Sequence, residues 1–318
     1  MAPDTCGLPA ARADRLARLF CGRVFDLVVV GGGATGLGVA LDAVLRGFSV
    51  ALLESHDYAG GTSSRSTKLL HGGVRYLAQG NIGLVREALA ERATVLRLAP
   101  HLAQPLPFVM PSYRWWQTPF YGLGLLAYDL MAGRAGLGRT EFLGPATIRR
   151  LLPGIAANGL LGGVRYWDGQ FDDARLALAL ARSAEAAGAV LLNHAPVVRV
   201  DRPGGGTDPL FDIEVSDRFF QGSSRAIQAR CVVNATGVWV DALRNGPAGA
   251  GGALVKPSQG VHVVVDRDFL AGEHALLVPR TRDGRVLFAV PWLGRLILGT
   301  TDTPRQDLPR EPAPFDEE

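Results

Sequence analysis

Lysine is almost missing from this chain of 318 residues: 31 of its 33 basic side chains are arginine, and only Lys68 and Lys256 are not. A chain that uses arginine for its surface cations singles out those two positions as places for a compact ammonium, although chance alone leaves the same count. Cysteine is scarce as well. Cys6, Cys21 and Cys231 are odd in number and have neither metal-ligand nor disulfide spacing, which excludes a disulfide framework, argues against a structural metal and points to a reducing compartment. Charge of one sign is also lacking, because 33 basic and 30 acidic residues leave a net +3. Such a balance cannot hold a polyanion, so nucleic acid is excluded as a partner and any anion site is local. No long apolar run is present: the strongly apolar, uncharged stretch 115–128 is interrupted by Pro119, Gly122 and Gly124 and falls short of the ~20 residues of a membrane span. What remains is 47% hydrophobic and 20% charged with 40 glycines, the composition of a globular chain of about two domains.

Arg12, Arg15, Arg18 and Arg23 suggest a transit peptide, but Asp4, Asp14 and the lack of serine oppose it. Leu16, Leu19 and Phe20 stand at helical spacing, so residues 1–23 are expected to form a lead-in helix. From Phe25 to Leu53 an apolar run, a glycine cluster, a helix-like stretch and a second apolar run give one βαβ unit with parallel strands buried on both faces. A helix is expected over 82–98 with Leu84, Ala88, Val95 and Leu98 on its apolar stripe. Pro100, Pro105, Pro107, Pro111 and Pro119 then break the βα rhythm, placing a domain crossing near residue 100. Asp172 caps a further helix that Gly188 closes, followed by strands at 189–192, 211–215, 231–234 and 261–265, with a Gly-rich link at 203–206. The proline-rich, acidic stretch 306–318 reads as a connector.

Gly31, Gly33 and Gly36 form a G-x-G-x-x-G turn between strand and helix, where bare backbone N–H groups and the helix dipole can hold a pyrophosphate. Glu54, at the end of the second strand, supplies the carboxylate that accepts from an adenosine ribose. Together they indicate a dinucleotide site but do not separate NAD from FAD. The segment from Gly60 to Tyr76, Gly-Gly-Thr-Ser-Ser-Arg-Ser-Thr-Lys-Leu-Leu-His-Gly-Gly-Val-Arg-Tyr, resembles the flavin-facing loop of FAD-dependent glycerol-3-phosphate dehydrogenases, with Leu70 for the isoleucine of that family. Glu87–Arg92, Ala99–Leu102, Asp172–Leu176, Val233–Gly237 and Gly299–Asp302 extend the likeness over about residues 24–303.

The resemblance implies an α/β fold: a Rossmann-like FAD-binding domain of glutathione-reductase type, interleaved with an antiparallel-sheet cap that faces the substrate. It assigns 24–100 and 146–245 to the FAD domain, 101–145 and 246–298 to the cap, and 299–318 to the start of a return to the FAD domain. By the same resemblance FAD is held by Gly31, Gly33, Gly36, Glu54, Thr62, Ser63, Ser64, Lys68, Leu69, His71, Gly72, Val198, Ala235 and Gly237. The implied reaction moves hydride from sn-glycerol 3-phosphate to flavin, yields dihydroxyacetone phosphate and passes electrons to quinone or another acceptor. Arg75 is expected to grip the substrate phosphate with two N–H groups. The base is either His71 or His262. Gln259 departs from the lysine of several relatives, and Tyr76 is expected beside the site. No counterpart of the family's closing segments precedes Glu318, so the chain is expected to be truncated, which leaves room for a non-catalytic FAD-binding fragment. An FAD-dependent 2-hydroxy-acid or amino-acid oxidase and a nicotinamide dehydrogenase are competing readings of the same motifs. No metal is expected. The implied location is cytoplasmic, free or peripheral on the inner membrane, with the aromatics of 115–128 filling the cap core or meeting lipid.

Overall fold

A computed structural model describes residues 11–73, 77, 80–202, 210–219, 224–245, 252–281, 284–316 and 318. Along the chain, α1 (Arg12–Leu19) and β1 (Val24–Val30) lead into α2 (Ala34–Leu45), β2 (Val50–Leu53) and β3 (Leu69–Leu70). Next come α3 (Ile82–Leu98), β4 (Ala103–Ser112), α4 (Gln117–Ala132), β5 (Glu141–Leu143), α5 (Pro145–Leu151) and β6 (Gly162–Phe171). Helix α6 (Asp173–Ala186) precedes β7 (Val190–Leu192), β8 (Val197–Asp201), β9 (Phe211–Val215), β10 (Arg225–Asn234) and α7 (Val240–Asn245). The remaining strands are β11 (Ser258–Gln259), β12 (His262–Asp266), β13 (Ala275–Val278), β14 (Leu287–Trp292), β15 (Arg295–Gly299) and β16 (Thr303–Pro304).

Two compact units result. The first takes 1–66, 173–257 and 306–312; the second takes 67–172, 258–305 and 313–318. The first two crossings thus fall at 66/67 and 172/173, where the expected ones lay near 100 and 145. The physical cause is β-pairing: β3 joins β6 antiparallel and β6 joins β4 over its whole length, which ties residues 69–70 and 162–171 to the second sheet.

In the first unit the sheet order is β7-β2-β1-β10-β9-β8, parallel through β10 and antiparallel beyond it. Successive side chains of each strand point to opposite faces, so the apolar runs feed two cores. Val28, Val30, Ala51, Leu53, Val190 and Leu192 pack with Leu19 of α1 and with the β8–β9 hairpin. Val29, Val50, Leu52 and Leu191 pack under α2 and α6, which present Leu37, Ala40 and Ala43 and then Ala177, Ala181 and Ala184 at helical spacing. Small residues on both helices let them approach the sheet closely. The carboxyl ends of β1, β2 and β10 converge: Gly31 N donates to Leu53 O at 2.8 Å, Ala235 N to Val30 O at 2.8 Å and Glu54 N to Leu192 O at 2.9 Å. Open α/β sheets bind their ligands at such carboxyl ends.

The second unit holds a sheet in the order β12-β15-β14-β13-β4-β6-β3, with β5 on β6, antiparallel except where β13 meets β4. Prolines 105, 107 and 111 lie inside β4, all at odd positions. In an antiparallel ladder same-parity residues direct their backbone groups to the same edge, so three missing donors weaken one edge only. Helix α4 covers one face through Leu125, and α5 covers the other through Ile148. Helix α3 forms over the span expected, but its buried stripe is Val85, Leu89 and Arg92, while Leu84 and Leu98 are exposed. Hydropathy put the stripe in the wrong place because Arg92 is drawn inward by an acidic partner described below. Stretch 115–128 divides likewise: Leu125 and Tyr128 are buried, whereas Trp115, Phe120, Leu123 and Leu126 face outward. Among the described residues no helix is long and apolar enough to cross a membrane, and no group of acidic, histidine and cysteine side chains could hold a metal.

Candidate cofactor and substrate residues

Gly31 closes β1 with φ +109°, a conformation that L side chains rarely adopt, and a Cβ there would strike the backbone carbonyl of Ala235. The turn therefore depends on glycine twice over. Gly33, the residue before α2, offers no side-chain cap to the helix; instead Ala34 N donates to Ser63 Oγ at 2.9 Å. A Cβ at Gly33 would come 3.0 Å from that hydroxyl. Bare N–H groups at a helix start, walled by small residues, suit the two phosphates of a dinucleotide. Glu54 stands beside them. Its Oε2 accepts from Gly32 N at 2.7 Å, and its Oε1 accepts from His56 N at 2.8 Å and from Ser55 Oγ at 3.1 Å. An ionised carboxylate has further lone pairs for ribose hydroxyls.

Thr62–Ser64 form a 3-10 turn, and Ser66 follows with its N–H and hydroxyl both bonded to Asp173 Oδ2, at 3.1 and 2.7 Å. Asp173 opens α6, so the second βα passage tethers the hydroxyl-rich loop to the first. Asn234 shapes the turn after β10: Oδ1 accepts from Thr236 Oγ1 at 2.7 Å and Nδ2 donates to Val240 O at 2.8 Å. That arrangement sets Ala235 against Gly31 and gives Gly237 φ +61°. Val198 lies exposed on β8, apart from the contacts just described.

In the second unit Lys68 has φ +64°, a left-handed conformation uncommon for a non-glycine residue. Beside it Thr67 Oγ1 lies 2.9 Å from His262 Nε2. Burial, and then the nearby Lys68 ammonium, hold the His262 imidazole below the usual histidine range, so the ring is neutral at pH 7. Gly299 pairs with His262 across β15 and β12, and a Cβ there would come 3.2 Å from the ring Cγ. His71 is exposed, but the adjacent Gly72 is buried and donates its N–H to Asp168 Oδ1 at 3.2 Å. Asp168 also accepts from Arg92 Nη1 at 2.8 Å, Gly169 N at 3.1 Å and Tyr128 OH at 3.2 Å. Burial pushes the Asp168 carboxyl up, against the opposing pull of Arg92. Gln259 Oε1 accepts from Arg305, which brings a cation beside this glutamine. Leu69 pairs with Gln170 between β3 and β6.

Arg75 and Tyr76 lie outside the described residues, as do Cys6 and the link 203–206. Thr67, Asp168, Arg92, Asp173 and Arg305 were not singled out by sequence reasoning as site residues. Thr67, Arg92 and Asp173 stood inside motif strings already noted, but nothing local told which partners they would meet.

The FAD dependent oxidoreductase family model (DAO) matches residues 26–318. The chain belongs to that family. FAD is therefore the cofactor that the glycine turn and Glu54 left undecided. Among its relatives, the mitochondrial glycerol-3-phosphate dehydrogenase of Macaca fascicularis is 42% identical over 322 residues, covering 98% of this chain and 44% of that protein. The glycerol-3-phosphate dehydrogenase of Mycobacterium leprae is 46% identical over 281 residues, covering 88% of this chain and 47% of that protein. The chain thus spans a little under half the length of these relatives. The FAD-complexed structure of the glycerol-3-phosphate dehydrogenase from Bacillus halodurans superimposes with a TM-score of 0.75 at 32% identity, covering 96% of this chain and 53% of that one. An L-proline dehydrogenase from P. horikoshii, at 17% identity and TM-score 0.69, shares the fold.

Proposed function

We propose that this member of the FAD-dependent oxidoreductase family takes part in oxidising sn-glycerol 3-phosphate to dihydroxyacetone phosphate, with electrons passing on to a membrane quinone. The identity of 41–46% to glycerol-3-phosphate dehydrogenases across most of the chain supports the substrate. Bound at Gly31–Gly36 and Glu54, FAD supplies the hydride acceptor. The chain's own part is to hold the phosphate and remove a proton. Arg75 is the proposed phosphate ligand. His262 is the proposed base, and the observation that carries this choice over His71 is the Thr67–His262 contact beside Lys68. With Nε2–H donated to the Thr67 hydroxyl, the neutral ring carries its lone pair on Nδ1, the atom that would accept the proton as the C2 hydroxyl of the substrate loses it. The Lys68 ammonium, close enough to depress the His262 pKa, favours negative charge growing on that oxygen.

The outward face of α4 supports the membrane part of the reading. Trp115 is 81% and Leu130 84% exposed, with Phe120, Leu123 and Leu126 between them and Arg114 and Arg134 at the two ends. Aromatic and aliphatic side chains flanked by arginine fit an anionic lipid interface. Liposomes of anionic lipid should sediment the protein, and replacing Leu123 and Leu130 by serine should abolish sedimentation. For the chemistry, the FAD-loaded chain is assayed with glycerol 3-phosphate and a dye acceptor. His262→Asn should lower kcat by about 100-fold or more, and full activity in that variant would refute the base. A complete flavin spectrum without reduction by glycerol 3-phosphate would refute the proposed turnover.

A further inference from the structure

Arg310 lies within 306–312, the segment that belongs to the first unit although its neighbours in sequence belong to the second. Its guanidinium is stacked 3.8 Å from the centre of the Trp239 ring, and Nη2 donates to Ser55 Oγ at 3.1 Å. The two contacts face two parts of the cofactor cradle. Ser55 Oγ donates onward to Glu54 Oε1, whose other oxygen holds Gly32 N. Trp239 lies against Gly61, where a Cβ would come 3.4 Å from the indole, just before Ser63 caps α2. The guanidinium therefore spans from the ribose carboxylate to the loop at the helix start. Its backbone is fixed on both sides, since Trp239 Nε1 donates to Leu308 O at 3.1 Å and Glu311 pairs with Arg65 at 2.9 Å.

Charge points the same way. A pyrophosphate carries two negative charges and must settle beside the Glu54 carboxylate, while the α2 N-terminus offers only about half a positive charge. Arg65 is engaged by Glu311. Arg218 Nη2 donates to His56 Nε2 at 3.0 Å, and His56 Nδ1 faces Ser55 Oγ at 2.9 Å, so the imidazole is a neutral relay. Burial first, and then Arg310 and Arg218, hold its pKa down. A planar cation on an aromatic face keeps its N–H edge directed outward, which an ammonium cannot do.

We propose that Arg310 is a cofactor ligand, its guanidinium pairing with the pyrophosphate of FAD across the mouth of the Gly31–Gly36 turn. The inference rests on that turn being the dinucleotide site, and binding measurements separate the two. The purified 318-residue chain, freed of flavin, is titrated calorimetrically with FAD, ADP and adenosine. Arg310→Ala should weaken FAD and ADP by about 10- to 100-fold and leave adenosine unchanged, with Arg310→Lys recovering only part of the loss. The penalty should shrink as salt is raised. Glu54→Ala should weaken all three ligands and so tests the site itself. Unchanged ADP affinity in Arg310→Ala, with Glu54→Ala impaired, would overturn the ligand role while leaving the site standing. Tighter ADP binding in Arg310→Ala would overturn it too, showing the side chain to be an obstruction. No binding of FAD or ADP by the unsubstituted chain would overturn both.

Discussion

Replacing Arg92 by leucine removes the counter-ion of a carboxylate that is almost wholly sealed from water. Arg92 and Asp168 are 2% and 1% exposed, and 2.8 Å separates Nη1 from Oδ1. Asp168 would keep Tyr128 OH, Gly72 N and Gly169 N, all longer contacts at 3.1 to 3.2 Å. Breaking a buried pair from one side is expected to destabilise by about 3–5 kcal/mol, because the remaining charge has nowhere to go. At about 2–4 °C per kcal/mol for a unit of this size, Tm should fall by roughly 6–20 °C. The pH dependence follows from the carboxyl's direction. Burial already raises the Asp168 pKa above its ordinary value, and losing Arg92 takes away its charge and its hydrogen bond, the two largest of the influences that lower it, leaving those of His71 and Gly72. A carboxyl whose folded pKa is raised favours folding most below its unfolded pKa, and that contribution is lost as pH rises through the folded one. The variant should consequently be penalised more at pH 8 than at pH 5. Urea unfolding at both pH values measures this, alongside Asp168→Leu and the double leucine variant. The double should lose less than the sum of the singles, since no charge is left unpaired. Additive losses, or a single-variant loss below about 1 kcal/mol, would refute the pairing as the reason Arg92 is buried.

The flavin-loaded chain should show an activity limb that rises with pH through a pKa below that of an ordinary histidine, because the proposed base, His262, acts when unprotonated. Lys68→Met should shift that limb to higher pH, and a pH–rate profile showing no shift would dissociate Lys68 from His262. Glu54→Ala should weaken FAD by about one to two decades, the worth of a charge-assisted hydrogen bond, read from a flavin titration. Gly31→Ala combines a φ of +109° with a collision at Ala235, so it should prevent flavin binding and lower Tm.

Local pattern determined much of this protein from the sequence alone. The βαβ unit, the glycine turn, the carboxylate at Glu54 and helix α6 behind Asp172 were legible because each depends on residues a few positions apart, through side-chain period, turn chemistry and capping. The choice of FAD rested on a longer string, and family membership agrees with it. Tertiary structure alone decided the pairings. Thr67 meets His262 across 195 residues, Arg310 meets Ser55 across 255 and Arg92 meets Asp168 across 76. No local period encodes such contacts. Periodicity also misjudged α3, where Leu84 and Leu98 are exposed and an arginine is buried. Hydropathy ranks side chains by their transfer from water, whereas a helix face is selected by what the facing elements offer, and here β6 offers a carboxylate. The crossing near residue 66 escaped notice for a related reason: β3 is two residues long, and only its pairing with β6 makes it a strand.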